Sequence, residues 1–480
     1  MIRFLRKYQS SLRSSRWTRN RIARIQQQRF RRLLHHAFDH SEFYHELYRG
    51  IDLDHCPITD IPIVTKSVMM DHFDRLVTDK RLKLGEIQEW IARKSNYGKL
   101  YLDEYLPIPT SGSSGEYALV VYHRQALDLI QSGLFARHPL HPAHAGFGQT
   151  RSLVSQLLGR KTRIAVIAVP YGTIGGMVKT VPAFHRLFAQ VKFISLFDPI
   201  EQIVSTLNNF QPDGLISMSF FLSILAQEQL AGNLNLSFRG PVAYVAGGGE
   251  PLTDHTQELA REAWNMAVQD DYGAVECYFM AASCDKNGSL HAMSDLCILE
   301  AVDGANNPVP PGTYGEKVLV TNLAGFVQPI IRYEIDDIVG YTDKSCDCGL
   351  PFPTLLPVQG RLSDFIYFEK PNGEYERFHP YRFRIPLFYA TDIRQYQIVQ
   401  TARNALTFNY VPQAEDDGIE PKIKQTLKTA LERASLQSRV SVTLKRLETI
   451  SRDKRSGKYM IIKSLGAPVN LDGRLDKKTY

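Results

Sequence analysis

Val242-Ala243-Tyr244-Val245-Ala246-Gly247-Gly248-Gly249-Glu250-Pro251 is an apolar, β-prone run that halts on three glycines and a proline. It reads as a strand that stops at a tight turn and delivers the chain into a helix. The same alternation extends to either side. Residues 163–169, 191–197 and 214–218 read as strands, and residues 178–190, 200–210 and 221–230 as helices. Strands alternating with helices of about ten residues predict a layered α/β fold with largely parallel sheets. After about residue 295, the runs 297–302, 316–320 and 338–341 lie close together between Pro/Gly turns and predict a β-rich subdomain. A strand, a long helix over 421–435 and a second strand then form a small α+β unit. A chain of 480 residues exceeds one ordinary core. The boundaries expected are a basic helical segment at 1–40, a large domain at 41–359 and a small domain at 360–480, joined at Gly360-Arg361.

A hydrophobic content of 44% and a charged content of 22% place the chain in the soluble globular class. No apolar run reaches the roughly 18–20 residues that a bilayer span requires, and no secretory signal opens the chain. Six cysteines in so long a chain do not form a secreted disulfide framework, so a reducing cytoplasm is expected. The net charge of +7 hides an asymmetry: residues 1–38 hold eleven Lys/Arg and no acid, and the rest is slightly acidic. Such a basic amphipathic segment suits a peripheral membrane contact or an acidic partner. It suits at least as well a solvated helix packed on its own domain, and an organellar transit peptide has the same composition. Nucleic acid is not expected as a partner, because the basic excess ends at Arg32.

Upstream, Thr110-Ser111-Gly112-Ser113-Ser114-Gly115 separates the proline-punctuated segment 106–109 from an apolar run, 118–122, that reads as a strand. Its hydroxyls, glycines and N–H groups suit a loop that wraps an anion such as triphosphate, although composition alone fits a surface turn at least as well. Gly248, Gly249, Glu250 and Pro251 either let a flat ligand lie on bare backbone or simply make a strand–helix turn. Asp271-Tyr272-Gly273-Ala274-Val275-Glu276 supplies an aromatic ring for a base and a carboxylate for magnesium. The segment 331–337, ending in Asp337, supplies acids for ribose hydroxyls, and Arg455-Ser456-Gly457-Lys458 sets a lysine on a small turn. Cys284, His291, Cys346 and Cys348 offer three thiolates and an imidazole, the donor set of a tetrahedral zinc site. Scattered reduced cysteines and a solvated histidine are the alternative. A P-loop kinase is disfavoured, because the Ser/Gly loop lacks the Gly-Lys-Ser/Thr ending.

In this order the motifs resemble the adenylate-forming superfamily of acyl-CoA synthetases, nonribosomal adenylation domains and luciferases, over nearly the whole chain. Within it they are most similar to the branch of phenylacetate-CoA ligase, deazaflavin-coenzyme adenylating synthetases and capsule-cluster proteins. The opening helix with Leu33, Leu34, His35 and His36, then Ile61-Pro62-Ile63-Val64-Thr65-Lys66, carries that closer likeness, as does Gly249-Glu250-Pro251. The resemblance implies a large α/β domain with a β-rich subdomain and a small α+β domain on a hinge at Arg361. It implies that residues 110–115 hold the phosphates of ATP, Glu276 magnesium and Asp337 the ribose, with Lys458 as the catalytic lysine. It also implies structural zinc on Cys284, His291, Cys346 and Cys348. The implied reaction is ATP-dependent adenylation of an aryl or medium-sized carboxylic acid with release of pyrophosphate, then transfer to CoA or a carrier-protein thiol. Alternatives are a nucleotidyltransferase that leaves an AMP-modified small molecule and a non-catalytic ATP-binding homologue; a homodimer is admitted. The chain departs from the pattern at Glu116, Asp336 and Ser363.

Overall fold

The structure, a computed structural model, describes residues 2–96, 99–110, 118–137, 161–168, 189–238, 243–249, 252–284, 288–361, 365–378, 393–412, 418–433, 436–451 and 462–465. The chain divides into two compact units, Met1–Gln359 and Gly360–Tyr480. The first begins with two helices, α1 (Ile2–Ser14) and α2 (Arg19–His40). Thr18 caps α2, its hydroxyl accepting from the Arg21 N–H. Ile22, Phe30, Leu33, Leu34 and Ala37 line the buried face of α2 at helical spacing.

The centre of this unit is an eight-stranded sheet. Its strands are β3 (Thr162–Ala168), β4 (Ala189–Ser195), β5 (Gly214–Ile216), β6 (Tyr244–Gly248), β7 (Val268–Tyr272), β8 (Ala281–Ser283), β9 (Leu290–Ala292) and β13 (Thr354–Leu355). The order is β13-β9-β8-β7-β6-β5-β3-β4. Strands β4, β3, β5, β6 and β7 are mutually parallel, and β8, β9 and β13 add antiparallel at the other edge. The helices Ile200–Phe210, Ser219–Leu230 and Asp254–Trp264 connect the parallel strands. Their apolar faces (Ile203, Leu207, Phe221, Leu225, Ala260) pack with Ala165, Leu215 and Val245 of the sheet. Buried faces on both layers of crossover units favour this parallel arrangement. The expected α/β architecture is therefore present.

One strand carried no sequence-based assignment, and one segment differs from its assignment. The proline-punctuated segment is itself a strand, β1 (Tyr105–Pro109), antiparallel to β2 (Leu119–His123) in a two-stranded sheet where proline need not donate to a ladder. In the β-rich subdomain, β10 (Cys297–Val302) and β11 (Lys317–Asn322) pair with β12 (Tyr333–Ile335), and residues 338–341 are not the third strand. Backbone groups of 338–341 bond to Gly312, Gly315, Leu356 and Gln359 in neighbouring loops, which leaves them outside the ladder although Ile338 and Val339 are buried.

The second unit holds a hairpin, β14 (Ile366–Glu369) with β15 (Tyr375–Phe378). A four-stranded sheet follows, from β16 (Ile393–Ala402), β17 (Ala405–Pro412), β18 (Ser441–Arg446) and β19 (Ile462–Lys463) in the order β18-β17-β16-β19. The helix Ile419–Arg433 buries Ile419, Ile423, Leu427 and Leu431, one per turn, in a cluster with Ile398, Leu406 and Phe408. Among the described residues, no helix is long and apolar enough to cross a membrane.

Candidate functional site

In an open parallel sheet, ligands bind beyond the carboxyl ends of the strands. Here β6 and β7 end side by side, with Gly248 opposite Asp271 in the register. Gly249 follows with φ +76°, a left-handed conformation that favours glycine. After Tyr272 the chain doubles back: Met280 N–H donates to Tyr272 O (3.0 Å) and Ala274 N–H to Cys277 O (3.1 Å). Gly273 makes that reversal possible, because a Cβ there would sit 2.0 Å from the Tyr278 carbonyl oxygen.

The doubled-back loop presents its polar groups toward the β-rich subdomain. Tyr272 donates its hydroxyl to Asp337 Oδ2 at 2.9 Å, and both residues are buried. Glu276 is also buried; its side chain hydrogen-bonds the Tyr333 hydroxyl, and its backbone carbonyl accepts from Asn322 Nδ2 at 3.0 Å. Burial and the Glu276 charge push the Tyr333 phenol well above its usual range, so it stays a donor to the carboxylate. Tyr122 fixes the loop from β2 by donating to Val275 O at 2.7 Å. Beneath, burial and then the neighbouring Asp271 push Asp270 up to about 7. Two buried carboxylates, each held by a tyrosine hydroxyl, give oxygen acceptors suited to a hard cation and to sugar hydroxyls.

The structure thus brings Tyr272, Gly273, Glu276 and Asp337 together beside Gly248, Gly249 and Asp271. Thr110 stands at the base of the hairpin: its N–H donates to Ala118 O and its hydroxyl accepts from Ala118 N–H, both at 2.8 Å. The Ser/Gly loop is therefore the connection between β1 and β2, though Ser111, Gly112, Ser113, Ser114 and Gly115 lie outside the described residues, as do Glu250, Pro251 and Lys458. Arg361 lies in the second unit. Sequence reasoning passed over Tyr333, Asn322 and Tyr122 as ligand-loop supports. Tyr333 lay within the quoted acidic segment, where the apolar–polar–apolar alternation of Tyr333-Glu334-Ile335 was the available signal.

A second cluster lies just past β8, on β9 and in the turn before β13. Donor atoms of Cys284, His291, Cys346 and Cys348 all lie within 4.8 Å of one another. Cys284 Sγ is 3.7 Å from Cys346 Sγ, and Cys348 Sγ is 3.3 Å from His291 Nε2. A disulfide would need about 2.05 Å. Tetrahedral zinc with Zn–S near 2.3 Å and Zn–N near 2.0 Å places its ligands roughly 3.5–3.8 Å apart. His291 Nδ1 lies 3.0 Å from Phe352 O, a carbonyl that only accepts, so Nδ1 carries the proton and Nε2 offers its lone pair to the cluster. The knuckle is closed by Leu350 N–H donating to Cys348 Sγ and by Gly349 at φ +80°. The donor set and its spacing fit zinc.

No family model matches the chain. In sequence it is 23% identical over 364 residues to a phenylacetate-coenzyme A ligase of Thermus thermophilus, covering 72% of each chain. It is 22% identical over 328 residues to protein CapK of Staphylococcus aureus, covering 67% of this chain and 63% of that one. Among solved structures it is similar to 2-hydroxyisobutyryl-CoA ligase in the postadenylation state with a hydroxyacyl-AMP bound. That match has TM-score 0.65 and 19% identity, covering 92% of this chain and 88% of the other. The same ligase with acyl-AMP and CoA in its thioesterification state gives TM-score 0.54 over 94% and 92%.

Proposed function

We propose that this chain, which has the fold of the adenylate-forming acid–CoA ligases, activates a carboxylic acid with ATP and transfers the acyl group to CoA. The observation that carries the reading is the hydrogen-bonded Tyr272–Asp337 pair beside Glu276, at the carboxyl ends of parallel strands. Asp337 would accept hydrogen bonds from ribose hydroxyls, with Tyr272 fixing the carboxylate and offering its ring to the base. Glu276, oriented by Tyr333, is an oxygen donor of the kind magnesium takes alongside substrate phosphates, and the metal would supply charge neutralisation. The Ser/Gly connection between β1 and β2 would wrap the β- and γ-phosphates. Lys458 would lie across the acid and the α-phosphate. Catalysis on this scheme is positioning and charge neutralisation of an in-line attack by the carboxylate.

Acid-dependent ATP–pyrophosphate exchange across an acid panel is the test. Exchange with an aryl or medium-sized acid is expected, and thioester of the expected mass should form on adding CoA; thioester formed only on a carrier protein would move the acceptor. Exchange with no acid would leave a binding protein. Lys458→Ala should lose exchange while retaining ATP binding, and unchanged exchange would remove that residue from the reaction.

We also assign zinc to Cys284, His291, Cys346 and Cys348, with a structural role, since all four positions are filled by protein. One equivalent of zinc by elemental analysis is expected, and a Cys346→Ser/Cys348→Ser double variant should lose it together with thermal stability. A metal-free wild type of unaltered stability would refute the site.

A further inference from the structure

Two stretches of this chain contain no acidic residue: 1–38, with eleven Lys/Arg, and 129–197, with eight. The fold packs the first against residues 129–137, the start of the second. Helix α1 packs along the helix Arg124–Arg137, which leads into the second stretch. Lys7 Nζ donates to Gln125 O, and Arg137 Nη2 donates to Ser14 Oγ at 2.7 Å. The basic side chains of the N-terminal helices then divide into two groups. Some turn inward: Arg29 donates to Asp295 O, and Arg31 to the carbonyls of Leu53 and Cys56. Others are exposed, Arg6 and Arg32 among them, and five of these, Arg13, Arg16, Arg19, Arg21 and Arg24, gather around the α1–α2 corner, where among the described residues none of the five has a carboxylate partner.

Five like charges in twelve residues repel one another, and local acids would relieve that at little cost. Their absence leaves a surface matched to an external anion. At its centre Arg21 lies 4.4 Å over the ring of half-buried Trp17. Beside it a groove of about 360 Å³ is lined by Arg21, Arg24, Ile25 and Gln28. The apolar face of α2 is already buried on its own domain, so it does not supply the desolvated apolar centre typical of a protein–protein hot spot. Guanidinium groups fork onto phosphate oxygens, and tryptophan favours the headgroup layer of a bilayer.

We propose that the α1–α2 corner docks the protein on an anionic bilayer surface through lipid phosphates. With the apolar face committed inward, attachment is electrostatic, reversible and salt-sensitive rather than insertional.

Co-sedimentation of the full chain with phosphatidylcholine vesicles, with and without phosphatidylglycerol, tests it at low and high salt. Wild type should bind only the anionic vesicles and leave them at high salt. A variant with Arg13, Arg16, Arg19, Arg21 and Arg24 all changed to Gln should bind about 100-fold or more weakly, given the worth of each basic residue near such a surface. The corresponding five-lysine variant should still bind, and both should keep the wild-type melting temperature. No wild-type binding to anionic vesicles, or undiminished binding by the glutamine variant, overturns the proposal. Capture by soluble polyglutamate with no binding to vesicles also overturns it and assigns an acidic protein instead. If the glutamine variant does not fold, energy transfer from Trp17 to headgroup-dansylated lipid in the anionic vesicles, in a Trp90→Phe/Trp264→Phe background, gives the same decision: transfer supports docking and its absence overturns it.

Discussion

Gly273→Ala is expected to reduce acid-dependent ATP–pyrophosphate exchange by about 100-fold or more, because displacing a reacting constellation by about 1 Å costs that much. The new methyl would stand 2.0 Å from Tyr278 O and 2.8 Å from Tyr278 C, both backbone atoms, so no side-chain rotation relieves the clash. The loop must open, and it carries Tyr272 at one end and Glu276 four residues on. Opening it strains the Tyr272–Asp337 bond and the Tyr333 and Asn322 contacts to Glu276 together. Gly214→Ala is the matched control. Its methyl also meets an atom at 2.0 Å, but on the ring of Tyr244, in the body of the sheet. Overpacking there should cost about 1–3 kcal/mol of stability. Its exchange activity, assayed below its melting temperature, should stay within a few-fold of wild type. If Gly273→Ala keeps wild-type exchange, or if the two variants lose it equally, the loop does not organise the site.

That contrast also shows what the chain discloses by itself. A strand ending on glycines announces a turn, and the alternation of short β-branched runs with helical ones announces a parallel sheet; β3 through β7 are where those signals are strongest. Local patterns also marked the two halves of the sulfur cluster, since Cys346 and Cys348 share one turn. That the turn reaches Cys284 and His291 depends on β13 pairing antiparallel with β9, which no local pattern reports. The same holds for the ligand loop. Tyr272 to Asp337 spans 65 residues, and Asn322 to Glu276 spans 46; such partners are set by the approach of two sheets. The third strand of the subdomain was misplaced for a related reason. Residues 338–341 are apolar enough for a strand, but their hydrogen-bonding groups are claimed by loops on either side. The three residues that do pair, 333–335, include a glutamate whose charge is met by Lys317 across the ladder. The N-terminal helices show the limit from the other direction. Composition left open whether their apolar stripe faces lipid or protein, and packing resolves it inward for α2 while leaving Arg13, Arg16, Arg19, Arg21 and Arg24 outside.

Arg332→Ala should be the most destabilising single change in the large unit, by about 3–5 kcal/mol, the range for breaking a buried ion pair from one side. Arg332 and Glu300 are both nearly inaccessible, with Nε–Oε2 and Nη2–Oε1 contacts of 3.1 Å. The remaining fork of the guanidinium donates to the Thr59 and Ile61 carbonyls, at 2.9 and 2.6 Å. The backbone of Arg332 is held in the left-handed region, φ +44°, a strain that a non-glycine residue keeps only where its surroundings enforce it. Its carbonyl accepts from Val64 N–H, and Val64 O accepts from Glu334 N–H, so the segment 59–64 is laced to the strand that presents Tyr333. Alanine would abandon Glu300 in a site where burial already raises its pKa despite the attraction of Arg332. Without the arginine that rise must be larger. A carboxyl with a raised folded-state pKa is best tolerated at low pH and costs stability as the pH climbs through that pKa. The deficit of Arg332→Ala, measured by urea unfolding, should therefore shrink from neutral toward mildly acidic pH. Adding Glu300→Gln should recover part of it at neutral pH and abolish the extra pH dependence. Recovery should stop short of wild type, because the Thr59 and Ile61 carbonyls stay unpaired. A deficit independent of pH and unchanged by Glu300→Gln would mean that the guanidinium acts through those two carbonyls alone and that the ion pair contributes nothing.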